Sequence, residues 1–435
     1  MSRRRIVVRG LFAGIATVAA ASLVTIATTG SGGRAAGWPG WGFTHTQYSA
    51  DTGSPMAIES VEDALQGQSL VQVQAIMGWG AENPEPAPGQ HDWASLDRRI
   101  DLIRSSGGTA VITLCCAPDW MKGGSTGDTD WDRLTVAPLP EHYADFARLA
   151  AAVAERYPDV HYFLVWNEFK GFWDDAGNQW DAEGYTAFYN EVYEAVKEVN
   201  PDAQVGGPYI PMVAVDEDVL EDADQNSGTS VSPLEGSWGA VDPRVLRAFD
   251  HWLANNAGAD FIVVDGHAEA HGSSDPFAAV RKFSAVNQWI HERTSLPVWW
   301  AEWYLDPGVQ DWPAQEQLAV YTAAMIEFAR SGTETALHWN PRPAGSSCAT
   351  CLWTDTTRDG GGQPLPFLTE VLQPFARWFP PGTRLEQVDV PEGVRVLARS
   401  DAAVLVNTTG SPVPVSVLGR ELVLSPWSVR WVVPT

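Results

Sequence analysis

From Trp41 onward the chain alternates short apolar, β-type runs with segments of helical periodicity, and it does so eight times. The runs are Gly40–His45, Leu70–Met77, Thr109–Cys115, His161–Trp166, Gln204–Pro208, Asp260–Asp265, Pro297–Ala301 and Thr333–Trp339. Between them, Tyr143, Phe146, Ala147, Leu149, Ala150 and Val153 trace one apolar helical face. Tyr185, Phe188, Tyr189, Val192, Tyr193 and Val196 trace a second, and Leu318, Tyr321, Thr322, Met325 and Phe328 a third. Pro201, Pro243 and Pro297 punctuate the boundaries. Eight strand-then-helix units predict an α/β chain folded as a (β/α)₈ TIM barrel over residues 37–380. A doubly wound open sheet is the competitor, but no Gly-rich phosphate loop follows the first run.

After Pro380-Pro381-Gly382 the pattern changes. Val388–Val390, Val394–Ala398, Ala403–Asn407, Val413–Leu418, Leu422–Leu424 and Ser428–Val433 are short β-type runs with no helical segment between them. Residues 381–435 are therefore expected to form a small C-terminal antiparallel β-sandwich domain packed on the barrel.

Composition narrows the partners. A chain with 21 Trp, 15 Phe and 10 Tyr has ample surface to bury, which excludes intrinsic disorder. The formal charge of -26 excludes a phosphate-backbone binder, which needs clustered Lys and Arg, so no nucleic-acid partner is expected. Residues 1–36 run against the overall charge: they hold Arg3, Arg4, Arg5, Arg9 and Arg34 and no acid. Paired arginines followed by the apolar run Leu11–Ala27 read as an export signal, and the arginine pair is compatible with a twin-arginine route. A membrane anchor is the alternative, but the uninterrupted apolar stretch is short for a span. The expected product is secreted, with no stable membrane insertion once the signal is removed. In that setting Cys348 and Cys351 are expected to bridge within their loop. Cys115 and Cys116, adjacent on a β-type run, are expected to point to opposite faces and not to bridge.

In a barrel the active site lies at the C-terminal ends of the strands, so the polar residues just beyond each run are the candidates. They are His45 and Gln47, Glu82 and Glu85, Asp119, Asn167 and Glu168, Tyr209, then His267, Glu269 and His271, Glu302 and Tyr304, and Asn340. Trp79, Trp120, Trp173, Trp303, Trp339 and Trp353 fall at or beyond the same ends. Indole faces with a few carboxylates suit a sugar, whose C–H faces stack on rings while its hydroxyls bind carboxylates and amides. His45, Trp79, Trp120, Asn167, Trp173, Tyr209, His267, Glu269, Tyr304 and Trp339 are the expected carbohydrate contacts. Glu168 and Glu302 stand out because each closes an apolar strand pattern, where an unused carboxylate is costly. A salt bridge, with Lys170 the nearest base in sequence, is the structural alternative for Glu168. His267, Glu269 and His271, spaced by two, offer a rival three-ligand metal site and hence a metal-dependent hydrolase.

Val165-Trp166-Asn167-Glu168 after the fourth run, with Glu302 closing the seventh, resembles the clan A glycoside hydrolases. Trp166-Asn167-Glu168 with Phe172-Trp173 and the trailing β-rich segment is most similar to family 39, home of β-xylosidases and α-L-iduronidases. Phe169 and Lys170 depart from the family's usual Trp-Asn-Glu-Pro-Asn. The resemblance implies a retaining hydrolase of poly- or oligosaccharides that needs no metal or organic cofactor. It implies Glu168 as acid/base, kept protonated by burial and its anionic neighbour, Glu302 as nucleophile, and Asn167 on the sugar 2-OH. A non-catalytic carbohydrate-binding barrel is the competing reading, and it would require loss of one carboxylate.

Overall fold

In a computed structural model, which describes residues 39–215, 217–226, 234–269, 275–305, 312–340 and 348–434, all eight apolar runs become strands of one barrel. They are β1 (Gly40–Thr44), β2 (Val71–Ala75), β3 (Thr109–Leu114), β4 (Tyr162–Val165), β5 (Gln204–Pro211), β6 (Phe261–Ala268), β7 (Val298–Leu305) and β8 (Thr333–Trp339). Each pairs in parallel with its neighbours in chain order, and β8 closes on β1.

The outer layer follows from the helical patterns: α1 (Pro55–Leu65), α2 (Ala94–Ser105), α3 (Tyr143–Arg156), α4 (Ala182–Val199), α5 (Pro243–Asn255), α6 (Arg281–His291), α7 (Ala314–Arg330) and α8 (Gln373–Trp378). Local signals set several starts. Ser54 and Asp181 accept backbone N–H groups of the first turns of α1 and α4, and Asp242 does so for α5 ahead of Pro243.

Strand alternation sorts the side chains. Val71, Val73, Val111, Leu164, Phe261, Val263, Trp299, Ala301 and Leu337 fill the barrel interior, with Phe261 stacked on Trp299 at 4.2 Å. Their neighbours Ile262, Val264 and Trp300 pack in the larger core with the helices. On β2 the outward positions are polar and buried, yet satisfied. Gln72 bonds His45 and Ser106, and Gln74 accepts from Arg99, which is paired with Asp51.

The carboxyl-terminal strands β9 (Val394–Ala398), β10 (Ala403–Asn407), β11 (Val413–Val417), β12 (Arg420–Leu424) and β13 (Val429–Val432) form an antiparallel sheet β9-β10-β13 and a hairpin β11-β12. Val396, Leu405, Val415, Val417 and Leu424 pack between the two. The other face of the sheet meets the barrel: Leu397, Val404 and Val406 join its core, and Arg395 pairs with Glu327 of α7. Residues 388–390, expected as a strand, are not one.

The Cys348–Cys351 bridge is formed. The expectation for Cys115 and Cys116 is corrected: they form a disulfide with each other. The strand ends at Leu114, so its alternation no longer applies, and the peptide bond between the two cysteines is cis. The export segment 1–36 lies outside the described residues, among which no helix is long and apolar enough to cross a membrane.

Candidate active site

The chain turns sharply where β4 ends. Trp166, Glu168 and Phe169 all take left-handed backbone conformations, with φ of 67°, 52° and 57°. Non-glycine residues hold such angles only when surrounding packing imposes them, at about 1–3 kcal/mol each. Here the packing is aromatic. Trp166 is buried against Phe146, Phe172 and Phe188, and its indole N–H donates to the Lys170 carbonyl at 2.7 Å. Phe169 stacks on Tyr185 of α4 at 3.8 Å. With Trp166 and Phe169 anchored in the core, Asn167 and Glu168 are left to meet the groups at the barrel mouth.

Two bulges aim the partners. On β5 the pairing with β6 skips Tyr209, whose φ is 53°, and this extra residue joins the interior cluster. On β7 the register with β6 and β8 shifts between Trp300 and Trp303. Ala301 faces the interior, the extra residue puts Glu302 on the same side, and Trp303 is turned out against Phe283 and Phe328. Glu302 Oε1 then accepts from the Tyr209 hydroxyl at 2.7 Å and from Asn167 Nδ2 at 3.2 Å. The bulge also corrects the expectation for Trp303, which is core; Trp353 is likewise buried, edge-on to Phe43.

Electrostatics bind these residues into one unit. Burial, reinforced by the charge of Glu168, pushes the Glu302 carboxyl up to about 8, while Tyr209, Lys170 and Asn167 pull the other way. Burial, and then the neighbouring Glu302, holds the Tyr209 hydroxyl well above its usual range, so it remains a donor. Glu168 is paired with Lys170, whose ammonium also lies over the Trp79 ring at 5.9 Å and within 3.5 Å of Asn167 Oδ1. Trp79 meets Trp339 edge-to-face at 6.5 Å, both half-buried. Sequence reasoning named Lys170 as the alternative partner of Glu168, and the structure keeps that pair within the carboxylate cluster.

The remaining candidates divide. His267 Nε2 and Glu269 Oε1 are 3.0 Å apart, and the His267 ring stacks on Tyr304, its register neighbour on β7. His271, the third member of the proposed metal triad, lies outside the described residues. Among the described residues no group of three His, Cys, Asp or Glu is placed to hold a metal. His45 does not face the opening. It is 1% exposed, with its ring nitrogens bonded to Ser49 at 2.6 Å and to Gln72 at 3.0 Å, and burial lowers it to about 4. Its partner Gln72 alternates with the interior residues Val71 and Val73, which places the ring on the helix side. Trp120 is held by the Glu85 carbonyl and packs on His142. Trp173 sits in a hairpin with Trp180 and stacks under Arg244. Glu85 and Asp119 serve their loops, accepting the Gly89 and Asp130 N–H groups.

Two groups escaped sequence reasoning. Asp265 is the last residue of a predicted strand and was passed over, though Phe261 and Val263 put it on the interior row. Lys282 is buried on α6, on the stripe continued by Val286 and Ile290, and a lysine in an apolar stripe was the available signal.

The raised Glu302 carries a stability cost with a definite sign. Its protonated form suits the folded state, so the cost is absent below the ordinary 4.5, grows as pH rises, and is fully present above about 8. Glu302→Gln keeps an acceptor oxygen without the charge. It is expected to stabilise the fold at alkaline pH by on the order of a few kcal/mol, seen as a higher Tm, and to leave Tm unchanged near pH 4. Thermal melts across that range check it; equal shifts at both ends would contradict the buried-charge account.

Against this geometry, solved structures give the fold. A family 39 glycoside hydrolase from Bacteroides cellulosilyticus WH2 aligns with a TM-score of 0.60 and 13% identity, covering 92% of this chain and 81% of that one. SrfJ from Salmonella typhimurium aligns at 0.60 and 14% identity, covering 90% and 88%. A monomeric β-xylosidase from Caulobacter crescentus CB15 aligns at 0.52 and 17% identity, covering 85% and 73%. The fold is that of the family 39 glycoside hydrolases. The sequence itself matches no family model and no curated protein. At such identities the family 39 likeness speaks for the fold, and function must be argued from the site.

Proposed function

We propose that the protein is a secreted retaining glycosidase that cleaves O-glycosidic bonds of an oligo- or polysaccharide by double displacement. One observation carries the reading: Glu302, from β7, accepts hydrogen bonds from Asn167 and Tyr209, while Glu168 beside Asn167 bears on its charge. Two carboxyl groups in one pocket mouth, roughly 5 Å apart, are what a retaining mechanism requires. Glu302, in the ionised form that the Tyr209 and Asn167 hydrogen bonds and the Lys170 charge favour, attacks the anomeric carbon and forms a glycosyl-enzyme. Glu168 protonates the leaving oxygen and then takes a proton from the attacking water. In this reading Asn167, which donates to Glu302, holds the sugar 2-OH. Trp79 and Trp339 supply ring surface for the pyranose. The β-xylosidase among the structures of like fold makes xylosides the first substrates to try.

The reading is tested with aryl β-xyloside, β-glucoside, β-galactoside and α-L-arabinoside and with intact polysaccharides, following the first-formed anomer by NMR. Retained configuration is the expected result. Inverted product would overturn the double displacement, and binding without any hydrolysis would favour a non-catalytic barrel.

A further inference from the structure

Asp265 continues the interior row of β6 beyond Phe261 and Val263 and is 1% exposed. It is the register neighbour of Glu302 across β6 and β7, its carboxyl interacts with the Glu168 carboxyl, and its buried Oδ1 meets no donor among the described residues. A carboxylate has only acceptors, so two carboxyl groups in such contact are held together by a proton.

The surroundings decide where that proton rests. Asp265 is faced by Glu168 and Lys170 from the turn after β4, Glu302 from β7, Tyr209 from β5 and Lys282 from α6. Burial first, then the charges of Glu168 and Glu302, hold the Asp265 carboxyl well above the usual carboxylate range. Lys282 opposes them, but burial lowers its own ammonium to about 7 and its Nζ donates to the His267 carbonyl. Glu168 has the Lys170 ammonium directly against it and a more open side chain. The proton belongs on Asp265.

We propose that Asp265 is a positioning residue for Glu168: it rests neutral, donates a hydrogen bond to the Glu168 carboxylate, and stores the proton that Glu168 delivers to the leaving oxygen. The proposal rests on the glycosidase reading above. In the first half-reaction the Asp265 proton moves to Glu168 and on to the leaving oxygen. The anomeric carbon–oxygen bond breaks as the bond to Glu302 forms. In the second half-reaction water bonds the anomeric carbon and displaces Glu302. The water proton returns through Glu168 to Asp265, which restores the resting state.

The test uses the whole protein with carbon-13 in the aspartate side-chain carboxyls, the Asp265 resonance being assigned by its loss in Asp265→Asn. It is expected at the protonated position at neutral pH, with a midpoint that falls by about one unit or more in Glu168→Gln, where a charge is removed. A carboxylate position at neutral pH would overturn the proposal. Asp265→Asn should lose about 10²-fold in kcat/KM on a methoxyphenyl β-xyloside while staying within about threefold of wild type on the dinitrophenyl β-xyloside, which needs no acid. Equal losses on both would reduce Asp265 to a structural role and also overturn it. Asp265→Glu keeps a carboxyl, should recover part of the loss, and serves the assignment if the asparagine variant fails to fold. Hydrolysis that survives Glu302→Ala would refute the double displacement through Glu302 instead, and the resonance position would still decide whether Asp265 is neutral.

Discussion

Glu302→Ala is expected to lower kcat/KM on an aryl glycoside by at least about 10⁴-fold, and added azide is expected to restore turnover with a product of inverted configuration. The size follows from the place of Glu302 in the scheme, where no covalent intermediate forms without it. The rescue follows from geometry. Truncation removes the acceptor of the Tyr209 and Asn167 donors and opens a carboxylate-sized space at the bulge of β7. A small anion fits that space, meets the same two donors and attacks the face of the sugar that Glu302 would have attacked. The product then undergoes one displacement instead of two, hence inversion. Loss of less than about tenfold would remove Glu302 from the nucleophile's role, because a mere binding contact is worth that little. Circular dichroism and thermal melts separate this outcome from misfolding. The variant should melt no lower than wild type at alkaline pH, since the group removed is one that folding must hold against its charge.

How much of this could be read without coordinates turns on the two bulges. Alternation located all eight strands, because buried strands in a barrel are short and apolar and are separated by helices long enough to show their own period. It also put Asn167-Glu168 just beyond a strand end, whereas Glu302, expected to follow its strand, lies within it because β7 runs on to Leu305. It could not say which way these side chains point. The extra residues at Tyr209 and at Ala301–Glu302 reverse the alternation, and no local composition announces a bulge. Trp303 was misplaced for that reason, and Glu302 was placed at the mouth although strict alternation would have put it outside. His45 shows the converse. It follows β1 as a catalytic residue would, but Gln72 of β2, on the helix side, and Ser49 claim its two ring nitrogens. A buried polar network of this kind is non-local, joining residues tens of positions apart, so a linear reading mistakes its members for ligands. Asp265 was lost in the opposite sense: an acid within an apolar run looked like a strand terminus, and its meaning depends on Glu168, which only the closed barrel brings beside it.

Glu168→Ala is expected to separate substrates by their leaving groups. With a methoxyphenyl leaving group the loss should be about 10²- to 10⁴-fold, the range that a positioned acid supplies; with dinitrophenolate, which departs unassisted, the first half-reaction should be nearly untouched. Deglycosylation then becomes slow, because no base activates water, and a burst of phenolate followed by a slow steady state should appear with the good leaving group. Azide should relieve that second step and give a glycosyl azide of retained configuration, opposite to the outcome for Glu302→Ala. The contrast between the two azide products assigns the roles independently of how large either loss is. Lys170 sharpens the test. Its ammonium loses the Glu168 partner in this variant but keeps Trp79 and the neighbouring Glu302 charge. Lys170→Met in an otherwise intact site should therefore preserve the leaving-group pattern of the wild type, whereas equal losses across leaving groups in Glu168→Ala would mean that Glu168 serves only to hold Lys170.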